Sequence, residues 1–271
     1  MARVLAISSF LCHGRVGLGA TVPVLQALGH EVIQLPTVIL SNHPGHAQVA
    51  GQQVAPGHLA DMRAALKANG WLAGVEAVVT GYLPSPSHVA FAAETVREVR
   101  DFSPRALCVC DPILGDDPKG LYIDGKAASA IRDRLVPMAD VITPNRFELA
   151  WLTGLPVSEP AHCQAAAQAL DCRAVVGTSI PSGSNGEEQA LIANVVVHEG
   201  EFASLTTTRQ KDVPHGTGDV LTALLSGHLA SGMPLYQAAA QGHHQLEAIV
   251  TASRGTEHLD LSRLTLVGNL P

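Results

Sequence analysis

The sequence lacks any basic run: Lys and Arg number 17 against 24 Asp and Glu, a formal net charge of −7. With no cluster of cations to track a phosphate backbone or an anionic lipid surface, neither nucleic acid nor membrane is expected as a partner. Cysteines are few. Cys12, Cys108, Cys110, Cys163 and Cys172 are odd in number, scattered and without C-x-x-C spacing, which argues against a disulfide framework and for a reduced, cytoplasmic setting. No apolar run approaches the roughly 20 residues of a membrane span. Arg3 and the apolar stretch Val4 to Cys12 have the outline of a short signal peptide, but His13, Gly14 and Arg15 interrupt it and no small-residue cleavage pattern follows. There is no internal repeat and no low-complexity linker. G-x-x-x-x-G-K-[ST], G-x-S-x-G and H-E-x-x-H are also missing, which disfavours P-loop, serine-hydrolase and zincin chemistry.

What is present is an alternation of short β-like runs with longer helical patterns. Arg3 to Ser8, Val32 to Leu40, Val75 to Thr80, Ala106 to Cys110, Val141 to Thr143 and Ala174 to Thr178 read as strands. Helical spacing covers Ala20 to Leu28, Pro56 to Asn69, Ser87 to Arg100, Ala127 to Leu135, Asn145 to Leu152, Glu159 to Leu170, Thr217 to Ser231 and Pro234 to Ala252. A hairpin-like region is expected near Leu121 to Asp124, and an antiparallel pair, Gln189 to His198 with Phe202 to Thr208, around Glu199-Gly200. Strands alternating with helices predict an α/β fold with a mostly parallel sheet covered on both faces and an antiparallel edge.

The stretch with the most chemistry is Val213-Pro-His-Gly-Thr-Gly-Asp-Val220, with Gly216-Thr-Gly-Asp219 at its centre, followed by the apolar run Leu221 to Leu225. Helix-start amides lack internal partners and sit at the positive end of the dipole, so Gly216, Thr217 and Gly218 can hold a phosphate without a lysine. Asp219 then stands beside that phosphate. The plainer alternative is a turn with Thr217 or Asp219 as N-cap. In open α/β sheets ligands gather at the carboxyl ends of strands. There the chain offers Ser9, the Gly-rich turn Gly14 to Gly19, Ser41 to His46, Gly81-Tyr82, Asp111 to Asp116, Thr143 to Glu148, and Thr178-Ser179. Asp111, Asp116 and Glu148 are three carboxylates with few basic partners, a set suited to Mg²⁺ through waters. Asn145 and Glu148 also have capping-box spacing. His43 and His46 share metal-compatible spacing but have no third ligand in view, His243 and His244 are expected at the surface or rim, and Cys108 and Cys110 on one buried strand face. Phosphate-binding amides, a hydrated metal and a separate aspartate together suit phosphoryl transfer to an alcohol.

Gly216-Thr-Gly-Asp219 resembles the anion-hole and base signature of the ribokinase superfamily. Cys110-Asp-Pro-Ile-Leu-Gly-Asp116, Gly120-Leu-Tyr122, Ile142-Thr-Pro-Asn-Arg-Phe-Glu148-Leu, Leu40-Ser-Asn-His43 and Thr80-Gly-Tyr82 are similar to the pyridoxal kinases within it, the likeness running from Val4 to about Val250. The resemblance implies a single ribokinase-like domain over 1–271, a three-layer α/β/α sandwich, commonly a homodimer. It implies ATP-dependent, Mg²⁺-assisted phosphorylation of the hydroxymethyl group of pyridoxal, pyridoxine or pyridoxamine, with K⁺ as a further candidate ion. Asp219 would take the hydroxyl proton and Gly216 to Gly218 would hold the transferring group. Asp111, Asp116 and Glu148 would serve the metal. Asn145, Thr178, Ser179, Lys211 and Val213 would serve the nucleotide. Ser9, His13, Val16, Asn42, His43, Pro44 and Tyr82 would surround the vitamer. The pattern departs on the substrate side: Ser9-Phe-Leu-Cys-His13-Gly14 stands for the usual Ser-His-Val-Val-Tyr-Gly, and Asn42-His-Pro44-Gly-His46 for Asn-His-Thr-Gly-Tyr. These departures keep two alternatives open, a kinase of another heterocyclic alcohol such as hydroxymethylpyrimidine and a non-catalytic B6-binding protein. The hydroxymethylpyrimidine relatives resemble Gly-Thr-Gly-Cys at the helix start, and Asp219 favours the B6 reading.

Overall fold

A computed structural model describes residues 1–184 and 190–264; the expected strand start at Gln189 lies outside them. In chain order the elements are β1 (Arg3–Leu11), α1 (Leu18–Ala27), β2 (Glu31–Leu40), β3 (Gly51–Gln53), α2 (Pro56–Ala68), β4 (Val75–Thr80), α3 (Pro86–Phe102) and β5 (Leu107–Cys110). There follow β6 (Gly115–Asp116), β7 (Gly120–Leu121), α4 (Gly125–Ala130), β8 (Val141–Ile142), α5 (Arg146–Thr153), α6 (Pro160–Gln168), β9 (Ala174–Ser184), β10 (Ala190–His198), β11 (Glu201–Thr208), α7 (Thr217–Ala230) and α8 (Leu235–Ala252).

Nine of the strands form one sheet in the order β11-β10-β9-β8-β5-β4-β1-β2-β3. The six inner strands from β9 to β2 run parallel, while β10 and β11 at one edge and β3 at the other are antiparallel. The expected antiparallel edge is there, and β3 makes a second one. Three polar residues, Gly51-Gln-Gln53, carry no apolar alternation, so nothing local marks β3 as a strand.

Side-chain alternation explains the layers. Leu5 and Ile7 of β1, Val78 of β4, Cys108 and Cys110 of β5 and Val175 of β9 face one core with Leu59 of α2, Val89 and Val96 of α3, and Leu149 of α5. Their neighbours Val4, Ala77 and Val79 face the other side, against Val24 and Leu25 of α1 and Val220 and Leu224 of α7. Val109, Val141 and Val176 pack there on Leu225 and Ala238. A strand buried on both faces reads as a continuous apolar run, which is why the inner strands lack polar alternation. No described helix is long and apolar enough to cross a membrane.

Three expectations are corrected. The short hairpin is formed by Gly115–Asp116 with Gly120–Leu121, and Tyr122 to Asp124 lead instead into α4, where Asp124 Oδ1 accepts from the Lys126 N–H at 2.6 Å. The helix expected to Leu135 changes hydrogen-bond register after Ala130 into a π turn over Ile131–Leu135. His243 is buried rather than at the surface, its Nδ1 3.0 Å from Asn194 Nδ2 of β10, while His244 beside it is exposed. Helical geometry separates the pair: adjacent residues are about 100° apart, so with His243 turned toward β10 its neighbour His244 points elsewhere.

Candidate active site

The helix start at Gly216 is built by its neighbours. Gly216 adopts φ 107°, in the left-handed range that glycine alone enters freely, and a Cβ there would overlap the carbonyl oxygen of Arg15. The turn therefore rests directly on the loop following β1. Gly216 at the N-cap supplies no side-chain cap, so the Thr217 and Gly218 amides keep their donors for a ligand. Asp219 is 9% exposed at the head of a helix whose next nine residues are all buried.

Burial raises the Asp219 carboxyl to about 6, against the opposing pull of backbone N–H groups from Gly17 and from Asp219 itself. A helix N-terminus on its own would lower the value and make a poorer base; here desolvation wins. Gly17, in the loop after β1, is fixed in its turn by Ser9: a Cβ on Gly17 would overlap the Ser9 carbonyl and hydroxyl oxygens. By sequence alone the run Gly14 to Gly19 is only a weak dinucleotide signal. Its role is to bring a backbone donor to Asp219.

Across from α7, the end of β5 delivers Asp111. Thr222 Oγ1, one turn into α7, donates to Asp111 Oδ2 at 3.1 Å. Thr222 spends its one proton there, so Thr143 Oγ1, 2.8 Å away at the end of β8, donates to Thr222. The sequence offers no sign of these two threonines beyond their proximity to strand and helix ends. Asp111 is buried, and its carboxyl is pushed well above the usual range by desolvation first, then by the charges of Glu148 and Asp219.

Glu148 and Asn145 form a complete capping box at the start of α5: Asn145 Oδ1 accepts from Glu148 N at 2.9 Å and Glu148 Oε2 from Asn145 N at 2.8 Å. Glu148 Oε1 also accepts from Leu114 N at 2.9 Å, and Asn145 Nδ2 donates to Gly115 O at 2.9 Å. The structural and functional readings of this pair therefore coexist, because the cap also holds the loop carrying Asp111 to Asp116. Desolvation still raises Glu148 to about 8 despite these amide donors. Asp116 is exposed, its Oδ1 taken by Asp117 N at 2.8 Å.

These groups line one cavity of about 650 Å³, bounded by Asp111, Asp116, Asn145, Glu148, Thr178, Ser179, Arg209 and the turn 216–219. Thr178 and Ser179 reach it because β9 bulges: the register with β10 slips between Gly177 and Ile180, and Ser179 takes φ 55°. Of the expected nucleotide residues, Lys211 is exposed and Val213 packs on the α1–α7 core, and neither lines the cavity; Arg209 does. A larger opening, about 860 Å³, lies at the opposite strand ends around Arg100, Asp140 and Arg173. Its central acid is already satisfied, Asp140 Oδ2 accepting from Arg100 and from Cys108 N at 2.8 Å each, and ligands of open α/β sheets gather at the other edge.

The substrate-side candidates lie outside the 650 Å³ cavity. Ser9 is buried behind Gly17, and Tyr82 is half-buried, its N–H donating to Ser8 Oγ at 3.1 Å. Asn42 braces its own turn, donating to Gln48 O at 2.9 Å. His43 stacks on His215, just before the Gly216 turn, with ring centroids 4.2 Å apart, and Pro44 is exposed at the tip. Val16 is half-buried beside Gly17, and His13 is engaged by Glu257 and His258.

The architecture and the cavity define a ribokinase-like phosphotransferase, and comparison with known proteins narrows the class. Residues 63–261 match the phosphomethylpyrimidine kinase family. A pyridoxine/pyridoxal/pyridoxamine kinase of Bordetella bronchiseptica is 34% identical over 98% of this chain and 94% of its own. The crystal structure of pyridoxal kinase from Entamoeba histolytica superposes with a TM-score of 0.87 at 27% identity, covering 99% of this chain and 96% of that one. Pyridoxal kinase from Leishmania donovani in complex with ADP and pyridoxamine gives 0.84 at 29% identity, over 93% and 87%. The chain belongs to the pyridoxal kinase family.

Proposed function

We propose that this chain transfers the terminal phosphoryl group of ATP to the hydroxymethyl group of pyridoxal and its vitamers, yielding pyridoxal 5′-phosphate from pyridoxal. The observation that carries the reading is the convergence of the Thr217 and Gly218 helix-start amides, the buried Asp219 and a carboxylate cluster on one cavity. The ligands of the Leishmania donovani enzyme, ADP and pyridoxamine, support the same reading.

In this reading Asp219 accepts the proton of the attacking hydroxyl, and a carboxyl held near 6 is ionised at neutral pH yet more basic than an exposed one. The amides of Gly216, Thr217 and Gly218 hold the transferring phosphoryl group and offset its charge in the transition state. Asn145, Thr178 and Ser179 lie along the cavity wall for the remaining phosphates. The donor set fits Mg²⁺: three carboxylates face one cavity, and Asp111 and Glu148 are raised by burial and by neighbouring acids rather than neutralised by a partner cation. Asp111 and Asp116 would hold it, with Glu148, its oxygens already engaged by amides, acting through water. When bound, the ion neutralises phosphate charge and orients the group for in-line transfer. The reading extends to a homodimer, which light scattering of the purified chain would test.

Hydroxymethylpyrimidine as acceptor is kept as a second reading because the matching family is named for a pyrimidine kinase, phosphomethylpyrimidine kinase. The test is ATP-dependent formation of pyridoxal 5′-phosphate followed by absorbance, with Mg²⁺ and then with chelator. Mg²⁺-dependent product is expected. Product from hydroxymethylpyrimidine alone would favour the second reading, and binding of pyridoxal without any turnover would leave only a vitamer-binding protein.

A further inference from the structure

Two segments far apart in sequence bring three metal-competent side chains together. His13 Nε2, in the loop after β1, lies 3.1 Å from Glu257 Oε1 and 3.0 Å from His258 Nε2. Among the described residues this is the one group of three His, Cys, Asp or Glu whose ligand atoms lie within 4.8 Å of one another. The two imidazoles meet edge to face, with centroids 4.4 Å apart and planes at 78°.

Protons serve the trio only in part. His13 Nε2 carries either one proton or one lone pair. Protonated, it can donate to Glu257 but then offers His258 only a share of the same hydrogen. Unprotonated, it can accept from His258 but then faces the Glu257 oxygen lone pair to lone pair. A cation at the centre engages all three lone pairs at once. Ligands about 2.0–2.1 Å from a tetrahedral ion are about 3.3–3.5 Å apart, so the two edges at His13, 3.1 and 3.0 Å, need open by only a few tenths of an ångström, while Glu257 and His258 lie within 4.8 Å of each other.

We propose that His13, Glu257 and His258 form a binding site for a divalent transition metal of the Zn²⁺ type, with an open position for water. Two imidazoles and a carboxylate suit such ions, whereas Mg²⁺ takes oxygen ligands. Local hydrogen bonds hold the ligand-bearing segment in place: Thr256 Oγ1 donates to His258 O at 2.7 Å, and Asp260 N donates to Ser253 Oγ at 2.8 Å. Leu259, between them, is buried in the α1–α7 core. Because the loop that supplies His13 also carries Arg15 and Gly17, the metal clips residues 256–260 to the loop that supports both Gly216 and Asp219. His43 and His46, the pair suggested by local spacing, are not part of it.

The site stands on geometry independent of the kinase reading, and its test does not read activity. Zn²⁺ is titrated into the chelator-washed full chain in excess Mg²⁺, by competition with a chromophoric chelator, and Co²⁺ is added separately for its visible spectrum. One Zn²⁺ per chain is expected, with affinity falling at least tenfold in Glu257→Gln and in His258→Ala and unchanged in His244→Ala. Hydrogen exchange at residues 256–260 should slow on Zn²⁺ addition in the parent and not in His258→Ala. Absence of stoichiometric binding, or equal binding by parent and both variants, overturns the proposal, as does loss of binding only in His46→Ala or His215→Ala.

Discussion

The two sides of the site are held by different physics. On the phosphate side, Asp111, Glu148 and Asp219 are buried, and their oxygens are fixed by backbone amides and by Thr222. On the outer rim, His13, Pro44, His46, Glu257 and His258 are exposed or nearly so, and His13, Glu257 and His258 hold one another through rings and side-chain contacts. A buried polar network tolerates little change, because every member removed leaves another unsatisfied. An exposed rim can exchange residues at small cost to the fold. Three departures from the family pattern, His13, Pro44 and His46, fall on the side where replacement is inexpensive.

On that contrast the largest effect belongs to Asp219. Asp219→Asn should lower turnover by on the order of 10²-fold or more, with nucleotide binding by calorimetry largely retained. Gly216→Ala should follow: strain at φ 107° and overlap with Arg15 cost about 1–3 kcal/mol, read as a lower melting temperature and at least tenfold lower turnover. Wild-type melting and rate in that variant would mean the turn can move away from the β1 loop.

Asp219→Asn should also act on stability, in the opposite sense. The folded carboxyl titrates near 6 and the unfolded one near 3.8, so the folded state binds more protons between those values and stability falls as pH rises through them. The full cost, on the order of 2–3 kcal/mol, is present above pH 6, so the variant should outlast the parent in urea at pH 8 and lose the advantage near pH 4. Glu148→Gln should cost about 1–3 kcal/mol, since an amide nitrogen would face the Asn145 or Leu114 N–H. The smallest effect is expected at the rim. Pro44→Thr with His46→Tyr should shift KM for pyridoxal within about tenfold and leave kcat nearly unchanged; a large loss of kcat would erase the distinction between the two sides.

The same contrast decides how much the sequence discloses. Gly216 to Asp219 and the Asn145–Glu148 cap are legible because each motif is contiguous, its chemistry set by one helix start. The inner strands are legible from apolar runs. Thr222 under Asp111 and the Gly17 amide on Asp219 are not, since both arise where separate elements meet. Nor is the rim triad, where Glu257 and His258 lie 244 and 245 residues from His13. β3 escapes because its pairing with β2, not its own residues, makes it a strand.

The pH dependence of kcat/KM for pyridoxal phosphorylation, measured in parallel for the parent and Asp219→Asn, tests the central role of the buried aspartate most directly. A group that must be ionised and titrates near 6 predicts activity falling tenfold per pH unit below that value in the parent, and a residual rate without that limb in the variant. The same acid limb in both proteins, or none in the parent between pH 5 and 7, would contradict it.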